Sequence, residues 1–158
     1  PSTALRYFNV FGPRQDPNGP YAAVIPKWIS QMAQNKPVVI HGDDQISRDF
    51  CYIDNAVQAN ILSATTPHDH NRSFNVAVGE QTTLQTLYET LRDLLTPHYP
   101  ELAQHQPIYG EPRAGDIKHS LADIHQAKTQ LQYMPTHHIT TGLKLLVSHF
   151  TQTTSKTT

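Results

Sequence analysis

Short strand patterns alternate with helix patterns along the 158-residue chain, and this alternation predicts an α/β fold. The clearest strand pattern is residues 74–78, where apolar and polar side chains alternate before Gly79. The clearest helix pattern begins at Thr83 and places leucines 84, 87, 91, 94 and 95 on one stripe. A chain of this length has room for one domain with an ordinary core.

The other patterns of the first half follow from periodicity and from glycine and proline. In order they are a strand at 4–10, a loop at 11–20, a helix over Ile25 to Ala33, and strands at 38–40 and 48–53. Asp54 is a candidate cap for the next helix. Helical spacing predicts that the buried face of that helix consists of Val57, Asn60, Ile61 and Ala64.

The second half ends in two predicted helices after a loop at 109–116. Asp123 is a candidate cap for the first helix, and the core-facing residues of the two are Ile124, Ala127 and Leu131, then Leu143, Leu146, Val147 and Phe150. We assign residues 1–150 to the folded part. Residues 151–158 are a polar, threonine-rich tail that we expect to fray.

Composition excludes several classes of protein. A net charge of -1 with 16% charged residues argues against a general surface for nucleic acid. The sequence has no apolar run of about 18 residues and no signal segment, so we expect a cytoplasmic protein without a membrane span. The single cysteine, Cys51, lies in an apolar run and is expected to be a buried thiol.

Familiar chemical motifs are mostly missing from the sequence. The ten histidines lie outside any His-Glu-x-x-His pattern, which favours solvated side chains and no metal site. Arg48 and Arg113 stand in loops that contain glycine, and two guanidinium groups suit a diphosphate. The alternative is that each forms a surface salt bridge with its neighbouring Asp49 or Asp116.

Five blocks of sequence resemble, in order, the second half of extended short-chain dehydrogenase/reductases that act on nucleotide sugars. The blocks are residues 5–14, residues 22–28, Gly42-Asp43 with 47–54, residues 74–79 and residues 113–116. They are most similar to bacterial UDP-N-acetylglucosamine 4-epimerases. The resemblance implies the C-terminal, substrate-binding part of a Rossmann-type enzyme whose N-terminal dinucleotide-binding half is absent.

The same resemblance implies a role for each matched residue. Tyr7 and Phe8 would lie beside the nicotinamide of NAD, and Asn9 would bind the diphosphate or sugar. Ala23, Val24, Lys27 and Trp28 would close over the nucleotide, with His41 beside the uracil. Arg48 and Arg113 would bind the phosphates, Asp116 a ribose hydroxyl, and Ser120 would make room for an N-acetyl group, unless it merely precedes the helix near Asp123.

The implied activity is inversion at carbon 4 of a UDP-N-acetylhexosamine by a homodimer with bound NAD. The sequence has no glycine-rich dinucleotide turn and no Tyr-x-x-x-Lys pair, so no catalytic residue is predicted in this chain. The chain starts without methionine inside a strand-like run, and we expect a preceding half against which residues 1–12 and about 54–80 pack. A non-catalytic UDP-sugar module, another 4-epimerase, a dehydratase and a decarboxylase remain alternatives.

Overall fold

The computed structural model describes residues 1–18, 23–112 and 115–154. The strands in these ranges are β1 (Thr3–Tyr7), β2 (Val10–Phe11), β3 (Val39–His41), β4 (Ser47–Arg48), β5 (Cys51–Tyr52), β6 (Arg72–Val76), β7 (Thr82–Thr83) and β8 (Ile108–Gly110). The helices are α1 (Val24–Ala33), α2 (Ile53–Thr65), α3 (Leu84–Leu95), α4 (His125–Leu131) and α5 (Ile139–Thr154), with a 3₁₀ helix at Pro100–Gln104.

Most strand pairs are parallel and join segments far apart in the chain. β1 pairs with β6 from Thr3↔Arg72 to Tyr7↔Val76. β2 pairs with β5, and β3 pairs with β8, also in parallel, whereas β4 and β7 are antiparallel. Parallel pairs need crossover connections, and α2 lies in the connection that returns the chain to β6. The α/β class predicted from the sequence is therefore confirmed.

Two hydrophobic clusters form the core. The first packs α1, α3 and α5 around β2, β3 and β5, with Phe11, Trp28, Met32, Leu91 and Leu143 among its members. The second packs α2 and α4 on β6, with Cys51, Ala59, Phe74, Ala127 and Tyr133 among its members. Cys51 is 0% exposed, and burial raises the pKa of its thiol to about 11, so the predicted buried thiol is confirmed.

Helices α1 and α3 bury most of the stripes that their periodicity predicts, with Leu84 and Leu94 of α3 only partly buried. Ile25, Trp28, Ile29 and Met32 are buried in α1, and Leu87, Leu91 and Leu95 are buried in α3. The predicted helix start at Thr83 is correct to within one residue, and Thr83 is the cap of α3, because its side chain accepts a hydrogen bond from the Thr86 N–H at 3.0 Å.

The predicted buried face of α2 is wrong. Val57, Asn60, Ile61 and Ala64 are all exposed, and α2 instead buries Asn55, Ala56 and Ala59. Ala56 and Ala59 pack in the second hydrophobic cluster with Phe74 and Val76 of β6, and such small side chains suit the packing of a helix on a sheet. Asp54 is also not the cap, because the extended residue before the helix is Tyr52 and Asp54 lies in the first turn.

Other boundaries differ from the sequence prediction for local reasons. Asn9 has a positive φ of 37°, which divides the predicted strand 4–10 into β1 and β2. Tyr109 and Gly110 were predicted as loop but belong to β8, which pairs with β3. Ile124 precedes α4 as its cap, while the Asp123 carboxylate accepts from the His125 N–H at 2.8 Å. Helix α5 continues to Thr154, into the segment assigned to the tail.

Candidate functional site

A cavity of about 350 Å³ opens between the start of α1, the strands β3 and β4, and the junction of β1 with β2. It is predominantly polar, with two cationic side chains and one carboxylate in its wall. The residues that line it are Asn9, Val24, Lys27, Trp28, Gln31, Val39, His41, Arg48, Leu84 and Asp116.

Asn9 reaches the cavity from the break between β1 and β2. Its positive φ is a conformation that asparagine tolerates better than branched residues do. The Asn9 Nδ2 donates to the Asp49 backbone O at 3.0 Å, and the Asn9 backbone O accepts from the Cys51 N–H at 3.2 Å. These bonds join Asn9 to the strand segment that carries Arg48.

The Arg48 guanidinium is oriented by two backbone carbonyls. Its Nη1 donates to the Ser47 O at 2.8 Å and to the Lys118 O at 3.2 Å. None of the ion pairs among the described residues includes Arg48. The charge therefore faces the cavity without a carboxylate partner, which is suited to binding an anion.

Asp49, the neighbour of Arg48, has a different set of partners. It is 0% exposed, and its carboxylate accepts hydrogen bonds from the N–H groups of Val78 and Gly79 at 3.0 Å each and of Ala122 at 3.3 Å. Burial raises the pKa of the Asp49 carboxyl, and the backbone N–H donors oppose that rise. The alternative that Arg48 forms a salt bridge with Asp49 is therefore wrong.

One face of α1 forms a second wall. Val24, Lys27 and Trp28, which the resemblance assigns to the nucleotide, line the cavity, and Gln31 continues the same face one turn later. Trp28 is 3% exposed and packs edge-on against Tyr88 of α3, with ring centroids 6.3 Å apart. Gln31 was missed, although its spacing of four residues from Lys27 is a usable signal.

His41 lines the cavity at the end of β3. Its Nδ1 lies 3.1 Å from the Glu111 backbone O, and since a carbonyl can only accept, Nδ1 carries the hydrogen in this bond. Val39 lies two residues earlier on the same face of the strand and also lines the cavity. Val39 was not predicted as a site residue. Leu84, the first residue of α3, also lines the cavity but was predicted only as part of the buried stripe.

Of the other predicted site residues, only Asp116 lines the cavity within the described part of the chain. Asp116 is exposed and lines the cavity, whereas Arg113 falls outside the described residues. Ala23 precedes α1, and Ser120 donates its N–H to the Ser47 O at 3.1 Å, but neither is among the cavity-lining residues. Tyr7 and Phe8 lie away from the cavity at the end of β1. The Tyr7 hydroxyl donates to Asn60 at 3.0 Å, and Phe8 packs beside the second hydrophobic cluster.

Neither a metal-binding cluster nor a membrane-spanning helix is found among the described residues. No group of three or more histidine, cysteine, aspartate or glutamate side chains in residues 1–18, 23–112 and 115–154 could hold a metal ion. No helix within the same ranges has the length and apolar character needed to cross a bilayer.

Comparison with known proteins gives consistent results. Residues 1–77 match the NAD dependent epimerase/dehydratase family. A UDP-glucose 4-epimerase of Mycolicibacterium smegmatis is 29% identical over 142 residues, which are 90% of this chain and 43% of that protein. The solved UDP-N-acetylglucosamine 4-epimerase of Methanobrevibacter ruminantium, in complex with UDP-N-acetylmuramic acid, is 43% identical with a TM-score of 0.84.

A third relative, the UDP-glucose 4-epimerase of Thermotoga maritima with UDP-glucose, is 37% identical with a TM-score of 0.85. Each of the two structural matches covers 96% of this chain and 46% of the relative, so the chain spans about half the length of the proteins it matches. The resemblance drawn from five sequence blocks is confirmed: residues 1–77 carry the family match, and the chain is similar over 96% of its length to part of two solved nucleotide-sugar 4-epimerases.

Proposed function

We propose that this chain is the UDP-sugar-binding part of an enzyme that uses bound NAD to invert carbon 4 of UDP-N-acetylglucosamine or UDP-N-acetylgalactosamine. The observation that carries the proposal is the single cavity shared by Asn9, Lys27, His41, Arg48 and Asp116. These residues come from separate segments of the sequence, and the fold brings their polar groups to one opening. Two relatives of similar fold were solved with UDP-sugars.

In this proposal Arg48 binds the diphosphate. The carbonyls of Ser47 and Lys118 already hold its Nη1, so little side-chain freedom is lost when a phosphate binds the remaining N–H groups. Arg113, with the same chemistry, binds the second phosphate, and Asn9 contacts the diphosphate or sugar. Asp116 accepts from a ribose hydroxyl.

The base of the nucleotide is assigned to the opposite wall. Ala23, Val24, Lys27 and Trp28 form the start of α1 that covers the nucleotide, and His41 borders the uracil. The buried Trp28 packs edge-on against Tyr88, so α3 supports this wall from behind. The contribution of the chain to catalysis is then orientation, because it holds UDP while the hexose is presented to the reacting groups.

The residues of this chain fit only one edge of the NAD site. NAD, when bound, supplies a hydride acceptor and donor for carbon 4. Tyr7 and Phe8 stand at the carboxyl end of β1, and Tyr7 is 49% exposed and available to border a nicotinamide. The sequence has no glycine-rich turn after a strand, so we assign the rest of the NAD site and the catalytic tyrosine to a preceding half of the protein. The 158-residue chain alone is then inactive and does not retain NAD.

The contact with that preceding half is assigned to β1 and α2. β1 pairs on one edge only among the described residues, and α2 exposes Val57 and Ile61 at 47% and 58%. An unpaired strand edge beside exposed apolar side chains suits continuation of a parallel sheet and a helix packed across it. We place the homodimer contact in the preceding half.

The choice of an N-acetylated sugar depends on Ser120. It follows Asp116 by four residues and is hydrogen-bonded through its backbone beside Ser47, at the edge of the Arg48 segment. A small side chain leaves room next to carbon 2 of the hexose, and the 43% identical UDP-N-acetylglucosamine 4-epimerase supports this choice. UDP-glucose and UDP-uronate epimerases, dehydratases and decarboxylases are the alternatives.

Ser120→Tyr tests the substrate class in the full-length protein. Overpacking a fitted site costs about 1 to 3 kcal/mol, so kcat/KM for UDP-N-acetylglucosamine should fall about tenfold while that for UDP-glucose is largely kept. The measurement is the ratio of the two specificity constants. An unchanged ratio would remove Ser120 from the sugar pocket.

Arg48→Ala tests the UDP site itself. A charge-assisted hydrogen bond is worth about 1.5 to 3 kcal/mol, so UDP binding should weaken about ten- to hundredfold in calorimetry. Arg92→Ala is the matched control, because Arg92 pairs with Asp93 on α3 and does not line the cavity. Equal affinities of Arg48→Ala and Arg92→Ala for UDP would contradict the proposal. If the full-length wild type bound UDP without turning over a UDP-sugar, the alternative of a non-catalytic module would be favoured.

A further inference from the structure

The buried carboxylate of Asp49 lies outside the cavity but touches the segments that build it. Its Oδ1 accepts from the Val78 N–H, and its Oδ2 accepts from the Gly79 and Ala122 N–H groups. Its backbone O accepts from the Asn9 side chain. One residue therefore connects the end of β1, the segment after β6 and the segment before α4 to the strand of Arg48.

The segment before α4 has a direct effect on Arg48. The Lys118 carbonyl accepts both from the Ser47 N–H at 3.0 Å and from Arg48 Nη1 at 3.2 Å. The same segment carries Asp116 and Ser120, and its far end is held by the bond from the Ala122 N–H to Asp49. The guanidinium is thus oriented by a segment that backbone bonds join to Ser47 and that the Asp49 carboxylate fixes at Ala122.

We propose that Asp49 is a positioning residue for the UDP site, which holds Arg48, Asn9 and the segment of Asp116 and Ser120 in one arrangement. The proposal rests on the proposed function, since it assumes that this cavity binds UDP. Asp49 does not touch the nucleotide. Its effect on affinity comes from keeping the ligand-binding groups in place before the nucleotide arrives.

A carboxylate is required because donors approach both oxygens. Asparagine has nearly the same shape but only one acceptor, so its NH₂ must face either the Val78 N–H or the N–H groups of Gly79 and Ala122. Either orientation leaves a buried donor unpaired and directed at another donor, which is costly. Serine is shorter and reaches fewer of the donors.

Asn55 provides a matched control elsewhere in the molecule. It is also 0% exposed, and its Oδ1 accepts from the Thr136 and His137 N–H groups at 2.9 and 3.1 Å. Its Nδ2 donates to the His137 O at 2.7 Å. Asn55 therefore joins the loop at Thr136 and His137 to the start of α2 by hydrogen bonds, as Asp49 joins its own partner segments to β4. None of the hydrogen-bond partners of Asn55 lines the cavity.

The experiment compares Asp49→Asn, Asp49→Ser and Asn55→Ser in the full-length protein, well below the temperature at which each melts. We expect both Asp49 variants to weaken UDP binding about tenfold or more in calorimetry, while retaining bound NAD and a cooperative melt. Asn55→Ser should lower the melting temperature and leave the Kd for UDP unchanged.

Three results would overturn the proposal. If the Asp49 variants bind UDP as the wild type does while Arg48→Ala does not, Asp49 does not position the site, and the proposed function stands. If both Asp49 variants lose NAD and cooperative melting, Asp49 is a general folding residue. If the wild type itself fails to bind UDP, the proposed function fails as well.

Discussion

Helices α1 and α2 are of similar length and both have predicted apolar stripes, but only one of those stripes is buried. In α1 the stripe that includes Trp28 and Met32 packs against α3 and the strands. In α2 the predicted stripe that includes Val57 and Ile61 is exposed, and a different stripe of small residues faces the sheet. The two helices therefore differ in whether a partner for the predicted face is present.

The difference shows what periodicity can and cannot predict. An apolar stripe indicates that a helix has a face to cover, but it does not identify the covering element. The small residues of α2 form a second face, which packs on β1 and β6. Because these residues are less hydrophobic than valine and isoleucine, a hydropathy pattern does not identify this face as the buried one. A helix that has both an apolar face and a face of small residues is typical of a helix packed between two other elements.

Met32→Ala should have the largest effect on stability and tests the α1 side of the comparison. Met32 is 0% exposed in the first cluster, and removing such a side chain from a core costs about 2 to 5 kcal/mol. Urea unfolding of the full-length protein measures it, with the exposed Gln34→Ala as control. A loss no greater than that of the control would mean that α1 is not part of a close-packed core.

Thr83→Ala should have an intermediate effect, on the helix against which α1 packs. Loss of the cap removes the bond between the Thr83 side chain and the Thr86 N–H, which costs about 1 kcal/mol. Thr90→Ala is the control, since its hydroxyl bonds to the Thr86 O within the helix. Equal unfolding free energies for the two variants would contradict the capping role.

Ile61→Ala should have the smallest effect in the 158-residue chain and is the sharpest test of the α2 side. At 58% exposure the change should stay within about 0.5 kcal/mol. In a longer protein that covers this face, the loss should rise to about 2 kcal/mol or more. The same small change in both proteins would mean that α2 faces solvent in each.

The site shows the same division between local and tertiary information. Arg48 stood out in the sequence because it is an isolated cation in a glycine-bearing loop, and the structure places it in the cavity. Gln31 and Val39 carry weaker signals, because a glutamine one turn after Lys27 and a valine in a strand are both ordinary. They join the site only because α1 and β3 present the faces on which Lys27 and His41 lie.

Asp49 was read from the sequence only as a possible ion partner of its neighbour. Adjacent side chains in a strand point to opposite faces, so Arg48 turns to the cavity and Asp49 to the interior. Which N–H groups the carboxylate meets there depends on residues 29, 30 and 73 positions away in the chain. No local pattern encodes such long-range partners.

The sequence by itself determined the α/β class, the stripes of α1 and α3, the start of α3 near Thr83 and the resemblance to nucleotide-sugar epimerases, because these depend on local spacing or on ordered motifs. Tertiary structure decided which face of α2 is buried, which carbonyls orient Arg48 and what the Asp49 carboxylate binds. The physical reason is that periodicity and capping act within a few residues. Burial and hydrogen-bond satisfaction depend on whichever distant segment the fold brings alongside.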